Sequence, residues 1–271
     1  MESQLTGHGG PNYHPCHYGQ SKHVFRGPAR RLDGDFVAVL GGSETFGQFV
    51  DMPFPDLLER ALGIDCVNFG VANAGPDAFL ADPDILASCI RARMTLVQVF
   101  GALNQSNAFY RVHPRHNDRF IAPKPALKEL FPEVDFTEFH YTRHLLGELE
   151  RLSPRRHGQV RAVLRATWTD KMRQLLTRVH GPVILLWIAS RRPTAPADRL
   201  ADGDPPYVTG AMVATLQGLG AEMVAAPAVA GGGLAGKTFD SSQRRAARLL
   251  PGPEIHGPVS QMLAAKIRPM I

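Results

Sequence analysis

No stretch of the 271 residues stays apolar long enough to span a bilayer. The first ten residues, Met1 to Gly10, are polar and glycine-rich and hold no apolar segment of a secretory signal. Cysteine is scarce: Cys16, Cys66 and Cys89 are odd in number and form no Cys-x-x-Cys pair. That count excludes a disulfide scaffold, and free thiols in a reducing compartment are expected. Charge of one sign is also modest. The net charge of +5 and pI of about 9.3 admit an anionic substrate, but no concentrated basic face argues for nucleic acid. Metal-ligand spacings are missing too. His8, His14, His17 and His23 follow no ligand pattern with cysteine, and His140 and His144 lack the Glu of an H-E-x-x-H motif. These absences predict a soluble cytoplasmic protein with no metal, no cofactor, no membrane and no nucleic-acid partner; they leave the oligomeric state open.

What is present is a core. Apolar residues make up 44% of the chain, enough at this length for a sizeable α/β core. Val37-Ala38-Val39-Leu40 reads as a buried strand, and Gly41-Gly42-Ser43 turns sharply after it. A second strand over 64–69 runs into Gly70, and a third over 95–100 into Gly101-Ala102-Leu103-Asn104. Helices are expected over 56–62 and 83–93, a fourth strand over 182–189 and a fifth over 221–226. Strands alternating with helices predict βαβ units and a parallel sheet, with the strand ends on one edge. Ser43 at that edge is a candidate nucleophile; the competing reading is a helix cap.

The remaining segments are less regular. Residues 1–34 read as an N-terminal arm lying over the fold through Tyr13, Tyr18 and Phe25, followed by one domain over 35–271. Within it, 108–181 reads as a mostly helical insertion, with a helix from Asp135 carrying His140 and His144 on one face. Its charged loop 113–120 should overhang the strand ends, where Arg115 and Arg119 could hold an anionic part of a substrate. The last helix is expected over 258–267, with His256 in the loop before it.

Nucleophilic acyl chemistry needs a hydroxyl, a base within reach and donors for the oxyanion. Ser43, Gly70, Asn104 and His256 occur in that order, and the set resembles the SGNH (GDSL-type) hydrolase superfamily. The runs Gly-Gly-Ser-Glu-Thr-Phe-Gly, Asn-Ala-Gly-Pro-Asp, Asn-Asp-Arg-Phe and Pro-Glu-Val-Asp-Phe-Thr-Glu-Phe-His also resemble a bacterial domain family of unknown function. The resemblance implies a three-layer α/β/α sandwich with a parallel sheet of about five strands. It implies Ser43 as nucleophile, His256 as base, and Gly70 and Asn104 as oxyanion donors. Three departures stand out. Gly42 replaces the usual Asp before the serine, and Asn104 is one residue late, so Asn107 is an alternative donor. Pro253 occupies the usual acid position, with Glu254 beside it as a possible acid; a dyad or an inactive site remain alternatives.

The resulting expectation is a serine esterase or acyltransferase acting on an O-acylated carbohydrate or similar polar ester. A second reading is a non-catalytic module holding an anionic glycan or nucleotide through Arg115, Arg119, Arg191 and Arg192. A third comes from Gly231-Gly232-Gly233-Leu234-Ala235-Gly236-Lys237-Thr238, which satisfies the Walker A pattern of a P-loop phosphotransferase. No later strand remains to supply its second acidic motif.

Overall fold

A computed structural model describes residues 12–227 and 233–271. Five strands, β1 (Phe36–Gly41), β2 (Asp65–Gly70), β3 (Met94–Gln98), β6 (Val183–Ala189) and β7 (Glu222–Pro227), form an all-parallel sheet. Their order is β2-β1-β3-β6-β7, so the winding reverses between β1 and β3. Two short strands, β4 (Tyr110–Val112) and β5 (Phe120–Pro123), pair antiparallel outside it.

The apolar runs are continuous because both faces of the sheet are covered. On one face Val37, Val39, Leu96, Ile184 and Leu186 pack against α2 (Phe54–Leu62) and α10 (Pro253–Ile267). On the other, Ala38, Leu40, Val97, Leu185 and Trp187 meet α3 (Pro76–Leu80), α4 (Pro83–Arg91), α6 (Thr142–Leu152), α7 (Pro154–Arg178) and α8 (Gly210–Gln217). The short helices α1 (Ser43–Phe46), α5 (Pro125–Leu130) and α9 (Arg244–Leu249) lie outside these layers. The architecture is the expected α/β/α sandwich.

Several local readings are corrected. Residues 108–181 are not merely inserted, since α7 supplies part of one layer. Its Leu164, Trp168, Met172 and Leu175 are fully buried, and the Trp168 indole N–H donates to the Phe100 carbonyl at 2.9 Å. Ser153 separates α6 from α7, capping the latter by accepting from the Arg156 N–H. The helix expected from Asp135 starts at Thr142 instead, leaving His140 in the preceding segment and both His140 and His144 exposed. The arm is load-carrying over its described part. Tyr18 and Phe25 set their rings edge-on to Phe69, and Arg26 donates to the carbonyls of Gly47 and Asp51. His8 lies outside the described residues.

The last helix begins at Pro253, not at Pro258. Proline at a first helical turn is favoured, and two candidates stood five residues apart; the earlier one starts the helix. His256 is therefore inside α10, 3% exposed, stacked on Phe54 and accepting the Phe54 N–H at its Nδ1 (2.9 Å). It joins α10 to the start of α2. Burial, aided by the Arg26 guanidinium, pushes its pKa down to about 4.

Two predictions follow from this packing. Trp168→Ala removes a buried side chain from the α7 layer, and chemical denaturation should read a loss of about 3–5 kcal/mol. For His256 the folded pKa lies below the unfolded value of 6.5, so the unfolded chain binds the proton more readily. Stability should fall as pH drops from 6.5 towards 4, by up to about 3 kcal/mol from this group. His256→Asn keeps an acceptor for Phe54 without titrating there. Denaturation midpoints across that window should decline less steeply in the variant than in the wild type, and parallel slopes would refute the assignment.

Candidate functional site

At the carboxyl end of β1 the chain turns at Gly42 and enters α1, whose first residue is Ser43. The N-cap position falls on Gly42, and the Ser43 hydroxyl bonds to Asn73 rather than to a helix N–H, so the helix-cap reading does not describe it. Two glycines allow α1 to rest on the strand ends. A Cβ on Gly41 would lie 1.8 Å from Thr45 Oγ1, and one on its register partner Gly70 would lie 2.3 Å from the Phe46 nitrogen. Gln98, at the end of β3, fixes the turn. Its Oε1 accepts from the Gly42 N–H, the Thr45 N–H and Thr45 Oγ1, while its Nε2 donates to Glu44 Oε2.

Ser43 meets Asn73 instead. The Asn73 N–H donates to Ser43 Oγ at 3.0 Å, and Oγ donates to Asn73 Oδ1 at 3.3 Å. Asn73 has φ +56°, a left-handed backbone that asparagine tolerates better than most residues. Its carbonyl accepts from Asn104 Nδ2, and its own Nδ2 donates to Asp118 Oδ2 at 3.1 Å. All four polar groups of one asparagine thus tie together the loops after β1, β2 and β3 and the charged loop. Asn117, fully buried, anchors that charged loop by accepting the N–H groups of Gly75 and Ala78.

Ser43, Asn73, Asn104 and Asp118 line a cavity of about 660 Å³, with Glu44, Asp204, Tyr141, Thr142 and Arg143. Arg143 is paired with Asp204, so three carboxylates face a single guanidinium. Burial raises the pKa of both Glu44 and Asp118 above the usual carboxylate range, with Asp204 adding to the effect at Glu44. The cavity is polar and acidic around the serine. Among the described residues no histidine lines it, and none of their His, Cys, Asp and Glu side chains gather into a metal-binding cluster.

The candidate residues separate accordingly. Ser43 and Asn104 reach the cavity; Asn104 Oδ1 accepts from Thr142 Oγ1, and one of its two amide N–H groups remains beyond the bond to Asn73. Gly70 does not serve as a donor, because its N–H is given to Asn68 Oδ1 at 2.9 Å. Asn107 is consumed in a turn, accepting from the N–H groups of Phe109 and Tyr110. His256 is bound to Phe54 in the α2–α10 interface, and Glu254 accepts the Gly252 N–H at the start of α10; neither lines the cavity. Arg115 and Arg119 are exposed outside it. Arg191 is buried over Trp187, is not among the residues lining the cavity, and holds a loop by donating from one guanidinium nitrogen to the carbonyls of Pro205 and Val208.

The Walker-like stretch is corrected as well. Residues 228–232 lie outside the described residues, but Lys237 is described. Its ammonium donates to the carbonyls of Gly233, Ala247 and Leu250, and no α-helix follows directly. A lysine so occupied is not presented to a phosphate. Sequence reasoning missed Asn73, Asp118, Glu44 and Gln98. Asn73 and Asp118 stood within runs that carried the family resemblance, which was the available signal.

Two solved structures are similar over most of the chain. One is a lipase from a goat rumen metagenome, 12% identical with a TM-score of 0.41 over 86% of this chain and 97% of its own. The other is a Bacteroides fragilis protein provisionally termed an acylhydrolase, 12% identical with a TM-score of 0.38 over 90% of this chain and 91% of its own. A search of curated proteins returns no match. A family model described as "Domain of unknown function (DUF6473)" matches residues 1–271, and the chain belongs to that family.

Proposed function

We propose that the chain hydrolyses or transfers the acyl group of a polar ester, with Ser43 as nucleophile and Asp118 as the base. One observation carries this reading: Ser43 Oγ is free of helix capping, lines a cavity, and shares Asn73 with a carboxylate of raised pKa. Ser43 Oγ attacks the acyl carbonyl carbon while its proton passes to the Asp118 carboxylate through one intervening water. The remaining Asn104 amide N–H and the Ser43 N–H, which has no partner within its helix, take the oxyanion. Collapse returns the proton to the departing alcohol, and water or a second alcohol then releases the acyl group. A cavity rich in carboxylate, amide and hydroxyl groups suits a polyhydroxylated alcohol, and an O-acylated carbohydrate meets that requirement.

The lack of a histidine among the described cavity residues favours a second reading, a polyol-binding module without turnover. Its ligand is not the anionic glycan or nucleotide first considered, since the carboxylates would repel one.

Labelling with a fluorophosphonate serine probe separates the two readings. The wild type should be labelled, Ser43→Ala should not, and Asp118→Asn should label about 100-fold more slowly. His256→Asn should label like the wild type. The base acts when deprotonated, so the wild-type rate should climb with pH through a midpoint above the ordinary Asp value of 3.8. A folded wild type that takes no label would leave the binding module as the better account.

A further inference from the structure

The cavity lining holds apolar as well as polar groups. The polar groups Asn73, Asn104, Asp118 and Thr142 come from the loops after β2 and β3, from the β4–β5 loop and from the start of α6. Ile188 near the end of β6 and Ala246, Leu249 and Leu250 of the α9 segment also line it, as do Asp204 and Arg143. Ser43, after β1, lines the same cavity as both groups. Leu249 is 73% exposed.

The α9 segment is fixed rather than loose. Lys237 donates to the carbonyls of Ala247 and Leu250 at 2.8 and 2.5 Å, catching two carbonyls from the end of a short helix. The chain just after Lys237 is itself tied down. The Thr238 N–H donates to the Phe49 carbonyl, and Phe239 sets its ring edge-on to Phe49. Phe49 belongs to the loop that follows α1, so the wall made by α9 is registered against the turn that carries Ser43.

Resting on the reading of Ser43 as an acyl nucleophile, we infer that the α9 wall is the acyl-chain subsite, that the substrate is a polyol ester of a hydrophobic chain rather than an acetate, and that Lys237 positions the wall. An acyl carbonyl at Ser43 would then send its alcohol towards Asp118 and Thr142 and its chain towards Ile188, Leu249 and Leu250. A cavity of about 660 Å³ has room for both halves of such a molecule.

The test is the second-order labelling rate of the full chain by fluorophosphonates bearing methyl, butyl and octyl groups. Each methylene received by the wall should raise the rate by about fourfold until the subsite is filled. Leu249→Ser combined with Leu250→Ser should flatten the series, bringing the octyl-to-methyl rate ratio towards one. Lys237→Met should flatten it in the same way, with the loss falling on reversible affinity for the octyl probe and not on its limiting rate. A wild type that prefers the methyl probe, or a double variant that keeps the wild-type slope, overturns the inference while Ser43 remains a nucleophile. Absence of any Ser43 labelling overturns both.

Discussion

A single buried amide, that of Gln98, holds the turn on which the site depends. Its oxygen accepts three donors from the turn after β1, and its nitrogen reaches Glu44. The first N–H groups of a helix lack partners within the helix, and Gln98 supplies one from the neighbouring strand. Because the strand end meets this need, the Ser43 hydroxyl is not required as a cap. The serine is released for other chemistry by a residue fifty-five positions away in the sequence (Ser43 to Gln98).

Asn73 performs the complementary task. It receives Ser43, Asn104 and Asp118 through three different groups, and its left-handed backbone directs its own N–H onto the serine. A rigid amide bridge sets geometry, yet an amide oxygen is too weak a base to remove a hydroxyl proton. Burial raises the pKa of the two carboxylates beside the bridge, Glu44 and Asp118, and the proposed reaction takes its base from Asp118. The histidine that would ordinarily do this is spent in the α2–α10 interface, held neutral at physiological pH by burial.

Lys237 illustrates the same economy in the C-terminal segment. Its glycine-rich approach matches a phosphate-binding pattern, but the ammonium satisfies carbonyls of its own chain. A buried lysine donating three hydrogen bonds organises a short segment that has little core of its own. The segment it organises lines the same cavity as Asp118.

The sequence by itself determined the sheet. Continuous apolar runs at β1, β3 and β6, separated by helical periods, have one physical solution, a parallel sheet covered on both faces. It also determined that Ser43 and Asn104 would stand at the carboxyl edge, because the strands that precede them were legible. Tertiary structure decided the rest. Whether α10 began at Pro253 or Pro258 turned on packing against Phe54, and that choice moved His256 from a loop into the core. Whether Gly70 offered its N–H to a ligand turned on where the Asn68 side chain lay. Asn73 and Asp118 were invisible as partners because forty-five residues separate them, and only the folding of the 113–118 loop onto α3 brings them together. Periodicity reports burial along a strand or helix; it does not report which distant polar group will claim a given N–H.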